Sequence, residues 1–241
     1  MEIYTKNYTV NMSEVDNNAY LREISVISNF LDCATAHGKI MGVAAPDLDK
    51  HNLFWVITKN KFRFFRKPMM LQDYTLSTWP EKPQLIRSNR YCELSDSLGI
   101  FAQGKTEWVM LDKNTFRVAK LSTAYPSNLV HSEKKLLTEP WLKVDDNFSS
   151  CNSVFNYKVN SLDIDISNHM NNIAYLRAMF NCFSTKELEN LDIYELEIHY
   201  ISQCFEGDNL SIKFANTDLG FKVGFFKDNT LCTFINVVLK K

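Results

Sequence analysis

DIDISNHMNNIAYLRAMFNCF, residues 163–183, opens with two acids, a serine, a histidine and three asparagines in ten positions, then turns apolar on nearly every side. Burying polar groups costs free energy unless each finds a partner. The stretch is therefore either an elaborate helix cap or a reaction site. From residue 173 onward, Ile173, Leu176, Phe180 and Phe183 follow helical spacing, and Ala174, Tyr175, Ala178 and Met179 cover the other faces. A helix apolar almost all round is surrounded rather than laid on a surface. Asn168 or Asn171 suits its N-cap.

The N-terminal half carries an echo, VDNNAYLREI at 15–24 against HMNNIAYLRAM at 169–179. Beyond it, Tyr20, Ile24, Ile27, Leu31 and Ala34 keep helical spacing, with Gly38 and Gly42 as candidate stops. Strand-like text follows both segments, broken by turn-prone pairs. After the first come LFWVITKNKFRFFRKP, DYTLSTWP, IRSNRYCELSD and IFAQGKTEWVMLD; after the second, IYELEIHYISQCF, NLSIKFANTD, GFKVGFFKD and TLCTFINVVLK. Residues 122–150 hold two prolines, several charges and little periodicity, and read as a connector. The chain thus predicts an α+β protein in two similar halves, domains 1–125 and 151–241 joined by a linker at 126–150. Each half wraps an antiparallel sheet around one buried helix.

Composition narrows the function. The chain has 241 residues, 45 % apolar and 23 % charged, with a net charge of −1. That balance argues against a general nucleic-acid binder. No apolar run approaches the ~20 residues that span a bilayer. MEIYTKNYTV does not read as a secretory signal or an Arg- and Ser-rich import leader. Six dispersed cysteines without a Cys-x-x-Cys pair give no support to a metal site or a disulfide framework and fit free thiols in the cytoplasm. GIFAQGKT at 99–106 matches a phosphate-loop pattern, but the following EWVMLD favours strand and leaves no room for the helix that such a loop must open.

In an extended chain Asp163, Asp165, Ser167 and His169 share one face, and Ile164 and Ile166 point the other way, into the sheet. Four polar groups would then stand just before a helix N-terminus, with its free N–H groups and positive dipole end. Developing negative charge could be held there. Spacing alone favours the plainer reading, a capped helix start with solvated acids.

The stretch resembles the D-x-N-x-H-x-N-N signature of acyl-acyl carrier protein thioesterases, and the resemblance covers nearly the whole chain. NFLDCATAHGKIMG, FWVI, LSTWP, RYCELSDSLG and TEWVMLDKNTFR are family-like in the first half; LDIDISNHMNNIAYL and HYISQCFEGDNL are so in the second. The resemblance implies two tandem hotdog domains, each an antiparallel sheet around a long central helix. It also implies hydrolysis of a phosphopantetheine-linked acyl chain on acyl carrier protein, no metal or organic cofactor, and pairing as a homodimer. The family's catalytic Asp, Asn and His fall on Asp165, Ser167 and His169, and its downstream acid falls on Gln203. Ser167 and Gln203 are departures; the second removes a base.

His169 is then the better base, with Asp165 orienting it and Gln203 holding the water. Backbone N–H groups around Asn171 and Asn172 would bind the carbonyl oxygen, and Tyr175 and Cys204 are taken as substrate contacts. Cys204 is also a rival nucleophile, with His169 as its base. Asp16, Asn17 and Asn18 stand where the first half would carry a site, yet no histidine follows, so that half has kept only the scaffold. His37 reads as a core or capping residue, and His51, His131 and His199 receive no role. Lys59, Lys61 and Arg63 share a strand face and are read either as solvated or as a docking patch for an acidic carrier. An acyl-coenzyme A hydrolase of the same fold, and a catalytically weak acyl-binding protein, remain as alternatives.

Overall fold

The computed structural model describes residues 2–151 and 153–240. The chain forms two compact units, Met1–Glu139 and Pro140–Lys241. In the first, β1 (Tyr4–Thr9) leads to helix α1 (Glu23–Met41), a short α2 (Ala45–Asp49), then β2 (Leu53–Phe64), β3 (Asp73–Pro80), β4 (Ser88–Asp96), β5 (Gly99–Asp112) and the two-residue β6 (Val118–Ala119). In the second, β7 (Ser153–Lys158) leads to α3 (Asn172–Phe180), α4 (Thr185–Glu189), then β8 (Ile193–Tyr200), β9 (Asn209–Thr217), β10 (Gly220–Lys227) and β11 (Thr230–Leu239). Within the described residues, 126–151 form neither helix nor strand.

One strand order repeats in the two units. The first runs β1-β3-β4-β5-β2, with β6 beside β5, and the second runs β7-β9-β10-β11-β8. Among the described residues, the strand pairings within each unit are antiparallel. α1 buries Val26, Ile27, Phe30, Cys33, Ala34, His37 and Met41. Phe30 meets Phe62 of β2 edge-on at 5.6 Å, and His37 lies 3.1 Å from the Arg90 guanidinium of β4. α3 sets Tyr175 edge-on to Phe225 of β10 at 5.4 Å. Each unit is thus a hotdog-like layer of sheet carrying a helix, and the fold is a tandem α+β arrangement.

Local signals explain the helix ends, with two differences from the expected limits. α1 begins at Glu23 rather than near Tyr20, because Asp16–Tyr20 closes a turn of its own. It stops at Gly42, whose φ of 72° suits glycine. α3 is only nine residues long and ends at Phe180, short of Phe183. Ser184 already caps α4, exchanging bonds with Glu187 (Ser184 N–H to Oε2, 2.7 Å), so the chain must leave the α3 axis before it. GIFAQGKT lies wholly in β5. A Cβ at Gly104 would stand 2.4 Å from Phe62 Cε1 and 2.7 Å from Cys92 Sγ, so this glycine serves close packing rather than a phosphate.

Candidate active site

A short 3-10 turn, Ser161–Asp163, follows β7. The buried Asp163 carboxylate accepts from Asn160 N–H at 2.9 Å and from the Tyr157 hydroxyl at 2.7 Å. Its partners make Asp163 a capping residue. Residues 164–170 then form a closed loop. Ile164 bridges Met170, Asp165 N–H donates to His169 O at 3.0 Å, and Asn168 N–H donates to Asp165 O at 3.0 Å. Asn168 takes a φ of 60°, a left-handed conformation that asparagine tolerates. This closure overturns the extended-chain alternation. Ile166 is 91 % exposed at the loop tip and does not enter the sheet.

The loop delivers His169, half-buried, to the start of α3. Met170 N–H donates to Cys204 O at 2.8 Å, which ties the loop to the segment after β8 and sets His169 beside residues 203–205. Gln203 is exposed there. The Asp165 carboxylate accepts from Ser167 N–H at 2.8 Å instead of gripping the His169 ring. Asp165 therefore places His169 through the loop's main chain, a correction to the expected side-chain contact. Asn171 is the N-cap, its Oδ1 accepting from Ile173 N–H at 2.8 Å. Its own N–H donates to Asp163 O at 2.7 Å and is unavailable to a substrate. Asn172 N–H, at the first position of α3, has no intrahelical acceptor.

The first unit repeats the main-chain closure of this loop and adds one side-chain bond, from Tyr20 N–H, that the second lacks. Asp16 Oδ1 accepts from Asn18 N–H and Tyr20 N–H, each at 2.9 Å. Asp16 N–H donates to Tyr20 O at 2.8 Å, Ala19 has a φ of 64°, and Val15 bridges Leu21. Asp16 thus corresponds to Asp165 and Tyr20 to His169. The shared letters NNAYLR and NNIAYLR do not correspond, since the first lie in this turn and the second begin a helix.

Sequence families match both halves of the chain: the acyl-ACP thioesterase N-terminal domain over residues 1–128 and its C-terminal domain over residues 149–229. The chain belongs to the acyl-ACP thioesterase family. It is 20 % identical over 219 residues to a chloroplastic palmitoyl-acyl carrier protein thioesterase of Cuphea hookeriana, covering 84 % of this chain and 52 % of that protein. It is 20 % identical over 230 residues to oleoyl-acyl carrier protein thioesterase 1 of Arabidopsis thaliana, covering 85 % and 61 %. The chain thus spans about half to three-fifths of these relatives. Among solved structures, an acyl-ACP thioesterase from Bacteroides thetaiotaomicron shares the fold at a TM-score of 0.86 and 20 % identity, over 99 % of this chain and 98 % of that one. The 12:0-ACP thioesterase of Umbellularia californica does so at 0.81 and 16 %, over 98 % and 96 %.

Other expected site residues of this family member fall in different surroundings. Tyr175 and Cys204 are buried within the second unit. Contact with the Cys232 sulfur, followed by burial, pushes the Cys204 thiol far above its ordinary range. A thiolate nucleophile is therefore disfavoured. The docking strip fails as a solvated face. Lys59 is paired with Glu107 at 3.2 Å, Arg63 with Glu139 at 3.0 Å, and Lys61 is 3 % exposed. His37 is buried in α1, as expected of a core residue. Sequence reasoning missed Phe205, whose ring stands 5.0 Å from that of His169, and the Asp208–Lys227 pair at 2.8 Å behind it. Phe205 lies beyond the end of β8 at Tyr200, although the strand-like text runs through it. Among the described residues no helix is long and apolar enough to cross a membrane, and no cluster of side chains could hold a metal ion.

Proposed function

We propose that the chain hydrolyses acyl thioesters carried by the phosphopantetheine arm of acyl carrier protein, releasing free fatty acid and ending chain elongation in the cytoplasm. The family match across both halves supports the substrate. The observation that carries the chemistry is His169, half-buried, at the mouth of α3 beside Gln203. In this reading the acyl carbonyl oxygen lies against Asn172 N–H, where one donor is worth about 3 kcal/mol in the transition state. Gln203 orients a water and His169 takes its proton. The water oxygen bonds to the carbonyl carbon, the carbon–sulfur bond breaks, and His169 returns the proton to the departing thiolate. A positioned base of this kind contributes about 10²–10⁴-fold. Asp165 and Ser167 hold the loop that presents His169.

The half 151–241 carries the reaction, and 1–125, with Tyr20 in place of the histidine, supplies scaffold. A homodimer is the proposed assembly. The neutral, exposed Gln203 favours one second reading, an acyl-binding protein that turns over slowly. Thiol release from matched acyl-carrier and acyl-coenzyme A substrates in ¹⁸O water tests both. Hydrolysis predicts one labelled oxygen in the fatty acid, with the carrier substrate preferred. Tight thioester binding without thiol release would select the second reading, and preference for coenzyme A would overturn the proposed substrate.

A further inference from the structure

Phe205 sits two residues beyond Gln203 with its side chain 44 % exposed, and a single exposed apolar residue is ordinary in itself. This one is held on several sides. Its ring meets the His169 ring at 66°, centroids 5.0 Å apart. Its N–H donates to Asp208 Oδ2 at 2.9 Å. The Lys227 ammonium lies 5.8 Å from the ring centroid and is itself paired with Asp208 at 2.8 Å.

The repeat explains why residue 205 faces residue 169. In the first unit Leu21 N–H donates to Pro68 O at 2.9 Å and Met70 N–H donates to Ala19 O at 2.8 Å, so Tyr20 and Met69 pair in an antiparallel bridge. In the second, Met170 N–H donates to Cys204 O at 2.8 Å. Leu21 therefore maps to Met170 and Pro68 to Cys204, which sets His169 on Tyr20 and Phe205 on Met69. Residues directly opposite in such a pair carry their side chains on one face. Where the first unit has tyrosine against methionine, the second has imidazole against a braced aromatic ring.

We propose that Phe205 is a positioning residue for His169, its ring fixing the imidazole in the rotamer that meets the water. The inference rests on the hydrolytic reaction proposed above. A histidine side chain has several staggered rotamers open to it. An edge-to-face contact selects one of them. Misorienting the base costs the chemical step rather than substrate binding.

The test compares Phe205→Leu and Phe205→Tyr with the intact protein, by steady-state kinetics on an acyl-carrier substrate and by the His169 Hε1 proton resonance, assigned through its loss in His169→Gln. Phe205→Leu should lower kcat on the order of three- to ten-fold, the rate equivalent of one ring contact, and leave KM nearly unchanged. The His169 resonance should lose its ring-current displacement in Phe205→Leu and regain it in Phe205→Tyr, which should also recover kcat. An unmoved resonance in Phe205→Leu, or a loss confined to KM, would overturn the proposal. The resonance does not depend on turnover. An intact protein that failed to hydrolyse thioesters would therefore refute the reaction while the spectrum still decided the role of Phe205.

Discussion

Asp165 separates two ways of using a carboxylate beside a histidine. If the loop geometry is its task, the amide of Asp165→Asn can keep the bond to Ser167 N–H now made at 2.8 Å. A hydrogen bond to a charged group is worth about 1.5–3 kcal/mol and a neutral one about 0.5–1.5, so the exchange costs about 1 kcal/mol. If that loss reached the transition state in full, kcat would fall about five-fold. Asp165→Ala removes the acceptor altogether and should cost about 2 kcal/mol, on the order of thirty-fold. The assay is thiol release under saturating acyl-carrier substrate, with thermal midpoints recorded alongside. Asp16 makes the equivalent bonds in a unit that presents Tyr20 instead of a histidine, so Asp16→Ala should destabilise without changing the chemical step. Should Asp165→Asn lose as much as Asp165→Ala, by 10² or more, the negative charge itself would be required and the loop argument would fail.

Further outcomes follow from the same geometry. Cys204→Ser should keep turnover, because the thiol is buried and held protonated; an acyl adduct at Cys204 in a mass spectrum would refute this. Gln203→Glu adds a carboxylate at an exposed position beside His169 and should raise kcat with a new acid limb in the pH profile; an unchanged profile would remove residue 203 from the water site. Gly104→Ala should cost about 1–3 kcal/mol by overpacking Phe62 and Cys92, visible as a lowered thermal midpoint. Burial raises the Asp208 pKa, but the Lys227 bond and Phe205 N–H outweigh it, so the net value is lowered. Its contribution is complete above the ordinary carboxylate value of about 3.9 and lost as pH falls through the lowered one. Asp208→Asn should flatten the fall of the thermal midpoint below about pH 4, and an unaltered slope would contradict the pairing.

The architecture was legible because turn-prone pairs punctuate strands whose residues favour sheet, and β2 to β5 and β8 to β11 fall inside the stretches so marked, save that β5 starts one residue earlier, at Gly99. Asp165, His169, Asn171 and Gln203 were legible as a motif. Their bonds were not, because parity applies only to extended backbone and residues 164–170 close into a loop. The repeated NNAYLR letters misled for the same reason: identical residues closed a turn in one unit and opened a helix in the other. The end of α3 was written in Ser184 and Glu187, a capping pair overlooked beside the stronger apolar pattern. Lys61 read as surface because burial is set by packing that no local pattern encodes.

Single-turnover thiol release from acyl-carrier substrate by the intact protein and by His169→Ala bears most directly on the reaction. Rapid release by the intact protein, with a loss of 10² or more on substitution and substrate binding retained, is the outcome a general base at residue 169 requires. Equal rates from the two proteins would contradict it.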